Sequence, residues 1–233
     1  IKYDRIKLAL REHFYDGSGM LKMGLSLMYV SLSIVVSEYI IKAYIINTSS
    51  MEMVGFFHAG STIVMGYFGI ITTAMTTDYY PRISAINNDN SKLSVEVNKQ
   101  SKVGLILLGP LVVLFLFLMP YFIKLLYSNL FLVSIDYISF AIFGVILISC
   151  SNSMGMVLLA KQNSRIFLIS ITFTRSILII TSIYGYKLYG LYGLGLSYLL
   201  FSFTHFFLMQ LIMYYFYQIT FKSDTIKILF VML

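Results

Sequence analysis

Arg175 is the residue of this chain that most needs a chemical explanation. It stands nine residues into an apolar run, Ile166–Tyr184. At the helical rise this is roughly 13 Å from the nearer end, close to the middle of a hydrocarbon layer. A guanidinium at that depth costs ~2.5–3.5 kcal/mol on insertion scales, so it must face a cavity or a partner and not lipid. Two readings fit: a cation lining an internal cavity that receives an anionic group, or a bundle-internal Arg bonded to carbonyls or to a polar neighbour such as Asn152.

Glu38 and Lys42 stand four residues apart in another apolar run, with the acid N-terminal to the base. That order lets an i,i+4 pair cancel its own charge on one helix face. Lys42 can also reach outward along its aliphatic stem. The pair therefore serves either as a structural ion pair or as a contact for a substrate headgroup or a coupling ion. His58 near one end of a run and His205 near the middle of another are candidates for a proton relay, or else hydrogen-bonded helix contacts. Ser149, Ser151, Asn152 and Ser153 form a polar patch, which serves as packing glue or as a cavity lining. Cys150 is the single cysteine, so no disulfide framework exists.

The elements that carry these residues are six long apolar stretches: Met23–Ile46, Val54–Thr77, Val103–Ile123, Ile135–Ala160, Ile166–Tyr184 and Leu191–Tyr217. Crossing a core about 30 Å thick takes ~20 helical residues, and each stretch is of that order. None alternates with period two, so they read as helices and not barrel strands. A mean hydropathy of +0.83 and 12% charged residues exclude an ordinary soluble domain. The expected fold is an all-α integral membrane bundle of six transmembrane helices over residues 20–217. Residues 1–19 are expected to form a cytoplasmic linker or interfacial segment. Residues 218–233 are expected to be a cytoplasmic tail or the start of a further span.

The net charge of +7 does not mark a nucleic-acid protein, because the basic residues alternate between connections and form no stripe. Lys2, Arg5, Lys7, Arg11, Lys22, Arg82, Lys92, Lys99, Lys102, Lys161, Arg165, Lys222 and Lys227 fall on one side of the membrane. Lys124 and Lys187 fall on the other. By the positive-inside rule the first group, with both ends of the chain, is cytoplasmic. The amphipathic start, with Ile6, Leu8, Leu10 and Phe14 among charges, suits a helix at that surface, broken by Asp16-Gly17-Ser18-Gly19. The chain opens on Ile1 and finishes on a short apolar run, Ile226–Leu233, so both ends read as cut from a longer protein.

The only sizeable connection is the inner one, Asp78–Lys102. Pro81 marks a helix end there, and Ser91 is placed to cap the next helix. Pro110 and Pro120 predict a kink in the third span. The outer connections, Asn47–Met53, Lys124–Ser134 and Gly185–Gly190, are too short for the catalytic loop of a membrane polymerase or ligase. With no phosphate loop, HExxH helix or Cys/His metal spacing either, an enzyme is not expected, nor a metal or cofactor.

Asp78-Tyr79-Tyr80-Pro81-Arg82-Ile83-Ser84, a membrane helix ending in an aromatic-Pro-Arg turn before an Asn-rich loop, resembles the Wzx-type O-antigen translocases. These are the polysaccharide-transport branch of the MATE-like superfamily. Four more stretches agree in order: Val54-Gly55-Phe56-Phe57-His58-Ala59-Gly60, Leu126-Tyr127-Ser128 with Phe131, Leu158-Leu159-Ala160-Lys161, and Gly190-Leu191-Tyr192-Gly193-Leu194-Gly195. Tyr80, Pro81 and Arg82 are the positions that carry the likeness, which covers residues 20–217. It implies one six-helix lobe, the C-terminal one, of a two-lobe transporter. Such a transporter moves undecaprenyl-diphosphate-linked oligosaccharide across the bacterial inner membrane by alternating access. The implied partners are that lipid-linked substrate, membrane lipids, the N-terminal lobe and the polysaccharide polymerase or chain-length machinery.

Under this resemblance Arg175, Glu38, Lys42, His205 and Asn152 are the substrate-cavity candidates, with Arg175 set to meet a pyrophosphate or acidic sugar. A cation-coupled multidrug exporter of the same fold is the alternative. It would favour carboxylates in the cavity, and here Lys42 sits one turn from Glu38. A membrane enzyme of glycan assembly is a third reading, disfavoured by the short outer loops. A lone lobe has nothing to rock against, so residues 1–233 by themselves are expected not to transport. The charge asymmetry predicts opposite sidedness for single cysteines placed at Asn88 and Ser128 in a Cys150→Ser background. Impermeant maleimide reaching both from one face of the membrane would overturn the topology.

Overall fold

The computed structural model describes the backbone of residues 2–232 and the side chains of residues 21–22 and 24–232. All regular structure among them is helical. Helix α1 covers Lys2–Thr48. Helices α2 (Met51–Ser61) and α3 (Phe68–Ala85) are joined without a break by a π-helical turn, Thr62–Tyr67. Then come α4 (Asn90–Leu126), a 3-10 stretch (Asn129–Ser134), α5 (Ile135–Ala160) and α6 (Ser164–Ile212). A second π turn, Met213–Tyr217, precedes α7 (Ser223–Met232).

Among the described residues five segments are long and apolar enough to cross a membrane: Gly24–Thr48, Met51–Ala85, Asn90–Leu126, Asn129–Ala160 and Ser164–Tyr217. The chain is a multi-pass helical membrane protein. The last two stretches expected from the sequence are one segment of 54 residues. That segment is not straight. Gly190 has φ 59° and ψ −137°, a conformation that only glycine adopts without strain, and the chain turns back there. Ser197 Oγ donates to Thr181 O at 2.7 Å, and a Cβ on Gly193 would run into the carbonyl of Gly185. The two arms, 164–189 and 191–212, are thus an antiparallel helical hairpin whose backbones touch where small residues face each other.

Cross-contacts give every arm a direction. Tyr29 meets Thr172, and Tyr186 meets Ser49, so α1 and the first arm of α6 run parallel. Ser101 meets Ser153, and Gly104 faces Ser149, so α4 and α5 are antiparallel. Gly144 faces Ser202 and Gly195 faces Tyr137, so α5 and the second arm of α6 are parallel. The relations are those of a chain that reverses at each connection. At the centre stands α5, with 18 of its 26 residues buried, against about a sixth of the apolar window of α1. Two of its buried hydroxyls are satisfied internally: Ser151 Oγ donates to Leu147 O, and Ser153 Oγ to Cys150 O.

Several local expectations are corrected. The backbone of α1 stays helical through Asp16-Gly17-Ser18-Gly19, because a glycine costs only ~1 kcal/mol in a helix and does not by itself end one. The amphipathic side chains expected at Ile6, Leu8, Leu10 and Phe14 lie outside the described residues. Pro81 sits inside α3, which continues to Ala85. Arg82 braces that last turn by pairing with Asp78 one turn back at 3.2 Å. The inner connection shrinks to residues 86–89, since α4 starts at Asn90. Asp89, not Ser91, caps α4: its Oδ1 accepts from Lys92 N at 3.0 Å, and that bond holds its carboxyl below the ordinary range. Pro110 and Pro120 both lie within an unbroken α4.

Asn98 is the buried polar anchor of α7 on α4. Asn98 is 3% exposed; its Oδ1 accepts from Lys222 N (2.7 Å) and Thr225 Oγ1 (2.9 Å), and its Nδ2 donates to Thr220 O (2.9 Å). Lys102 pairs with Asp224, and Met232 covers Gly109, so α7 runs parallel to α4. Asn98→Ala removes both ends of this network and leaves three partners short. It should cost about 1–3 kcal/mol, seen as a lower melting temperature and faster protease cleavage within residues 218–222. Unchanged cleavage would show that apolar packing alone holds α7.

Candidate functional site

Arg175 lies where α1, the π turn after α2, α5 and both arms of α6 converge. Its neighbours there include Ser37, Glu38, Met65, Tyr137, Ser182 and Tyr198. The hairpin explains the meeting: Arg175 is on the first arm, Tyr198 and Phe201 are on the second, and the fold at Gly190 brings them face to face. The guanidinium carbon sits 4.9 Å from the centroid of Phe201. His205 stacks on the same ring at 5.9 Å, with its planes 25° apart. A cation over an aromatic face gains ~0.5–2 kcal/mol, more where water is excluded. Among the described residues Arg175 has no hydrogen bond and no ion pair closer than 4 Å. It interacts electrostatically with Glu38 and Tyr198.

Glu38 is engaged elsewhere. Lys42 Nζ donates to Glu38 Oε2 at 3.1 Å and lies 3.3 Å from His58 Nδ1. This Glu38–Lys42–His58 chain links α1 to α2 and neutralises the carboxylate nearest Arg175. A positive charge is left over. His205 is 6% exposed, and its Nδ1 has no hydrogen-bond partner. The space lined by Arg175, Glu38, Tyr137 and Tyr198 is about 10 Å³, room for roughly one water. The cluster is closed around its charges.

The structure therefore brings Arg175, Glu38, Lys42 and His205 into one region, and His58 with them. Asn152 is not among them. It lines a separate polar gap with Thr72, Thr76, Tyr79, Gln100, Ser149 and Ser153, between α3, α4 and α5. The expected alternative of an Arg175–Asn152 bond is thus corrected: the two side chains stand on opposite sides of α5's packing. Tyr137, Tyr198 and Phe201 were not singled out from the sequence. The available signal was their spacing, since Tyr198, Phe201 and His205 fall at i, i+3 and i+7 on one helix face.

At the opposite end of that second gap is the cluster around Arg82. Its Nη1 donates to Glu96 Oε2 at 2.8 Å, its Nη2 donates to Gln100 Oε1 at 3.3 Å, and its guanidinium lies 5.9 Å from the Tyr79 ring. Tyr79 OH donates to Ser153 O at 3.1 Å, and Gln100 Nε2 to Met75 O at 3.2 Å. Arg82 thus ties the end of α3 to α4, next to Tyr80 and Pro81. Glu96 and Gln100 were missed from the sequence, because nothing local couples them to a residue fourteen and eighteen positions earlier.

A sequence profile described as polysaccharide biosynthesis protein matches residues 3–136, more than half of the chain. The chain belongs to that family. No curated protein and no solved structure matches it. The matched region of this polysaccharide biosynthesis protein contains Glu38, Lys42, His58 and the Tyr80-Pro81-Arg82 turn. Arg175, Asn152 and His205 lie beyond it. The match supports a role in polysaccharide biosynthesis or transport.

Arg82 and Glu96 are partly exposed (38% and 22% of their side chains), so their coupling is discounted for solvent. A double-mutant cycle with Arg82→Ala and Glu96→Ala, read from thermal unfolding in detergent, should give a coupling of about 0.5–1 kcal/mol. Additive effects would show that the pair holds nothing together.

Proposed function

We propose that this chain forms one six-helix lobe of a flippase. Its substrate is an undecaprenyl-diphosphate-linked oligosaccharide, carried across the bacterial inner membrane by alternating access. Each arm of the α6 hairpin crosses the bilayer, which makes six spans with both ends of the lobe cytoplasmic. The work is positional and not catalytic. No bond is made or broken; a charged headgroup is escorted past hydrocarbon.

Arg175 carries this reading. It is a mid-span guanidinium with an aromatic face beneath it, a neutralised carboxylate nearby and no ion pair of its own. A desolvated cation with free N–H donors is suited to diphosphate or sugar carboxylate, which it can hold with two parallel bonds. The family match supplies the sugar context. A drug exporter for cations would need the opposite sign, and here Lys42 occupies Glu38. The narrow space at Arg175 means that substrate enters only when the lobe moves against a second bundle. The two π turns, next to α2 and after α6, are places where such helices can adjust.

Arg175→Ala in the full-length protein should reduce glycan export at least about tenfold, the loss of one charge-assisted contact or more. Membrane protein level by immunoblot should stay normal. Arg175→Lys keeps the charge without the planar fork and should retain part of the export. Normal export by the alanine variant would remove the main support for the reading. Degradation of both variants would make Arg175 a packing partner only.

A further inference from the structure

A cavity far larger than the gap at Arg175 is found elsewhere in the bundle. It lies at the end of the bundle where the turn after α3, the turn between α5 and α6, and the π turn after α6 meet. Its volume is about 350 Å³, within the range of ligand pockets, whereas each of the two gaps above holds roughly one water. Asn87, Asn88, Lys161, Gln162, Asn163 and Tyr217 line it together with Ala160. No carboxylate is among them.

Its walls are braced by their own side chains. Lys161 Nζ donates to Asn87 O at 2.6 Å and sits 5.1 Å from the Tyr217 ring. Asn87 Nδ2 donates to Ala160 O at 3.2 Å, and Asn163 Nδ2 to the Tyr217 hydroxyl at 3.0 Å. The ammonium keeps further protons to donate, and the side chains of Asn88 and Gln162 are exposed. Gln162 and Gln218, both with φ 56°, are the described non-glycine residues in the left-handed region. One lines the cavity and the other follows Tyr217. Such conformations cost of order 1–2 kcal/mol in residues with a Cβ and tend to cluster where a site needs a particular wall.

We propose that this cavity binds an acidic sugar. Carboxamides present a donor and an acceptor together, which suits neighbouring ring hydroxyls. One ammonium with no carboxylate around it suits a single carboxylate on that ring. Membership in a polysaccharide biosynthesis family makes a sugar the class of ligand at hand. A free sugar acid and the sugar of a carrier-linked glycan present the same chemistry. Placing this end in the cytoplasm rests on the transporter reading; the binding itself does not.

Saturation-transfer NMR on the full chain in lipid nanodiscs, with glucuronate, glucose and inorganic phosphate as probes, tests the assignment. Glucuronate should bind about tenfold tighter than glucose, and Lys161→Gln should erase that preference. Asn88→Ala, at an exposed position, should weaken glucuronate about threefold with an unchanged melting temperature. No glucuronate binding, binding unaltered in both variants, or phosphate binding as tightly as glucuronate would each overturn the proposal. Competition by a polyprenyl-diphosphate glucuronoside in the same nanodisc would assign the site to carrier-linked sugar. Binding without that competition would assign it to a soluble sugar acid. Arg175→Ala should leave glucuronate binding intact, so a failed export test and a failed binding test are separable.

Discussion

Hydrocarbon offers no partner to a free backbone N–H or C=O, and the shape of this molecule follows from that constraint. Helices run unbroken through signals that would end them in water. Prolines at 81, 110 and 120 all sit inside helices. The π turn between α2 and α3 changes the winding without leaving the helix. Reversals are confined to a few residues. The α6 hairpin turns on Gly190, the one residue between its arms with non-helical backbone angles.

Packing between helices has no help from the hydrophobic effect in such surroundings, so close backbone approach and shared hydroxyls take its place. Helix α5 shows this most clearly. Ser153 bonds to Ser101 across the interface with α4, and Gly144 and Gly195 let α5 and the second α6 arm come together. By contrast α1 leaves Leu21, Leu25, Met28, Leu32, Val35 and Tyr39 exposed. That face suits lipid or another helical surface.

Charges are treated differently at different depths. At the bundle ends Arg82, Lys102 and Lys161 each hold two elements together through a carboxylate or a carbonyl. Burial lowers the proton affinity of Lys161 there. In mid-span, Lys42 settles Glu38, and Arg175 is left over an aromatic ring. The contrast between occupied charges at the ends and one uncommitted cation inside is what gives Arg175 its interest.

Hydropathy and charge alternation are local properties, so the apolar stretches and the helical class could be read from the chain alone. Arg175 and the Glu38–Lys42 pair could be read too, because one is costly at its depth and the other is one turn apart. What the tertiary structure decided are relations between residues far apart. Phe201 under Arg175 depends on the reversal at Gly190. Glu96 and Gln100 meet Arg82 only because α3 outlasts Pro81. Asn98 holds Thr225, 127 residues away. The polar cavity at the bundle end is made by three turns, none of which looks like a site by itself. Local sequence carries the energy of entering the membrane. The partner each polar group finds there is set by how the helices stack, and that is a property of the whole chain.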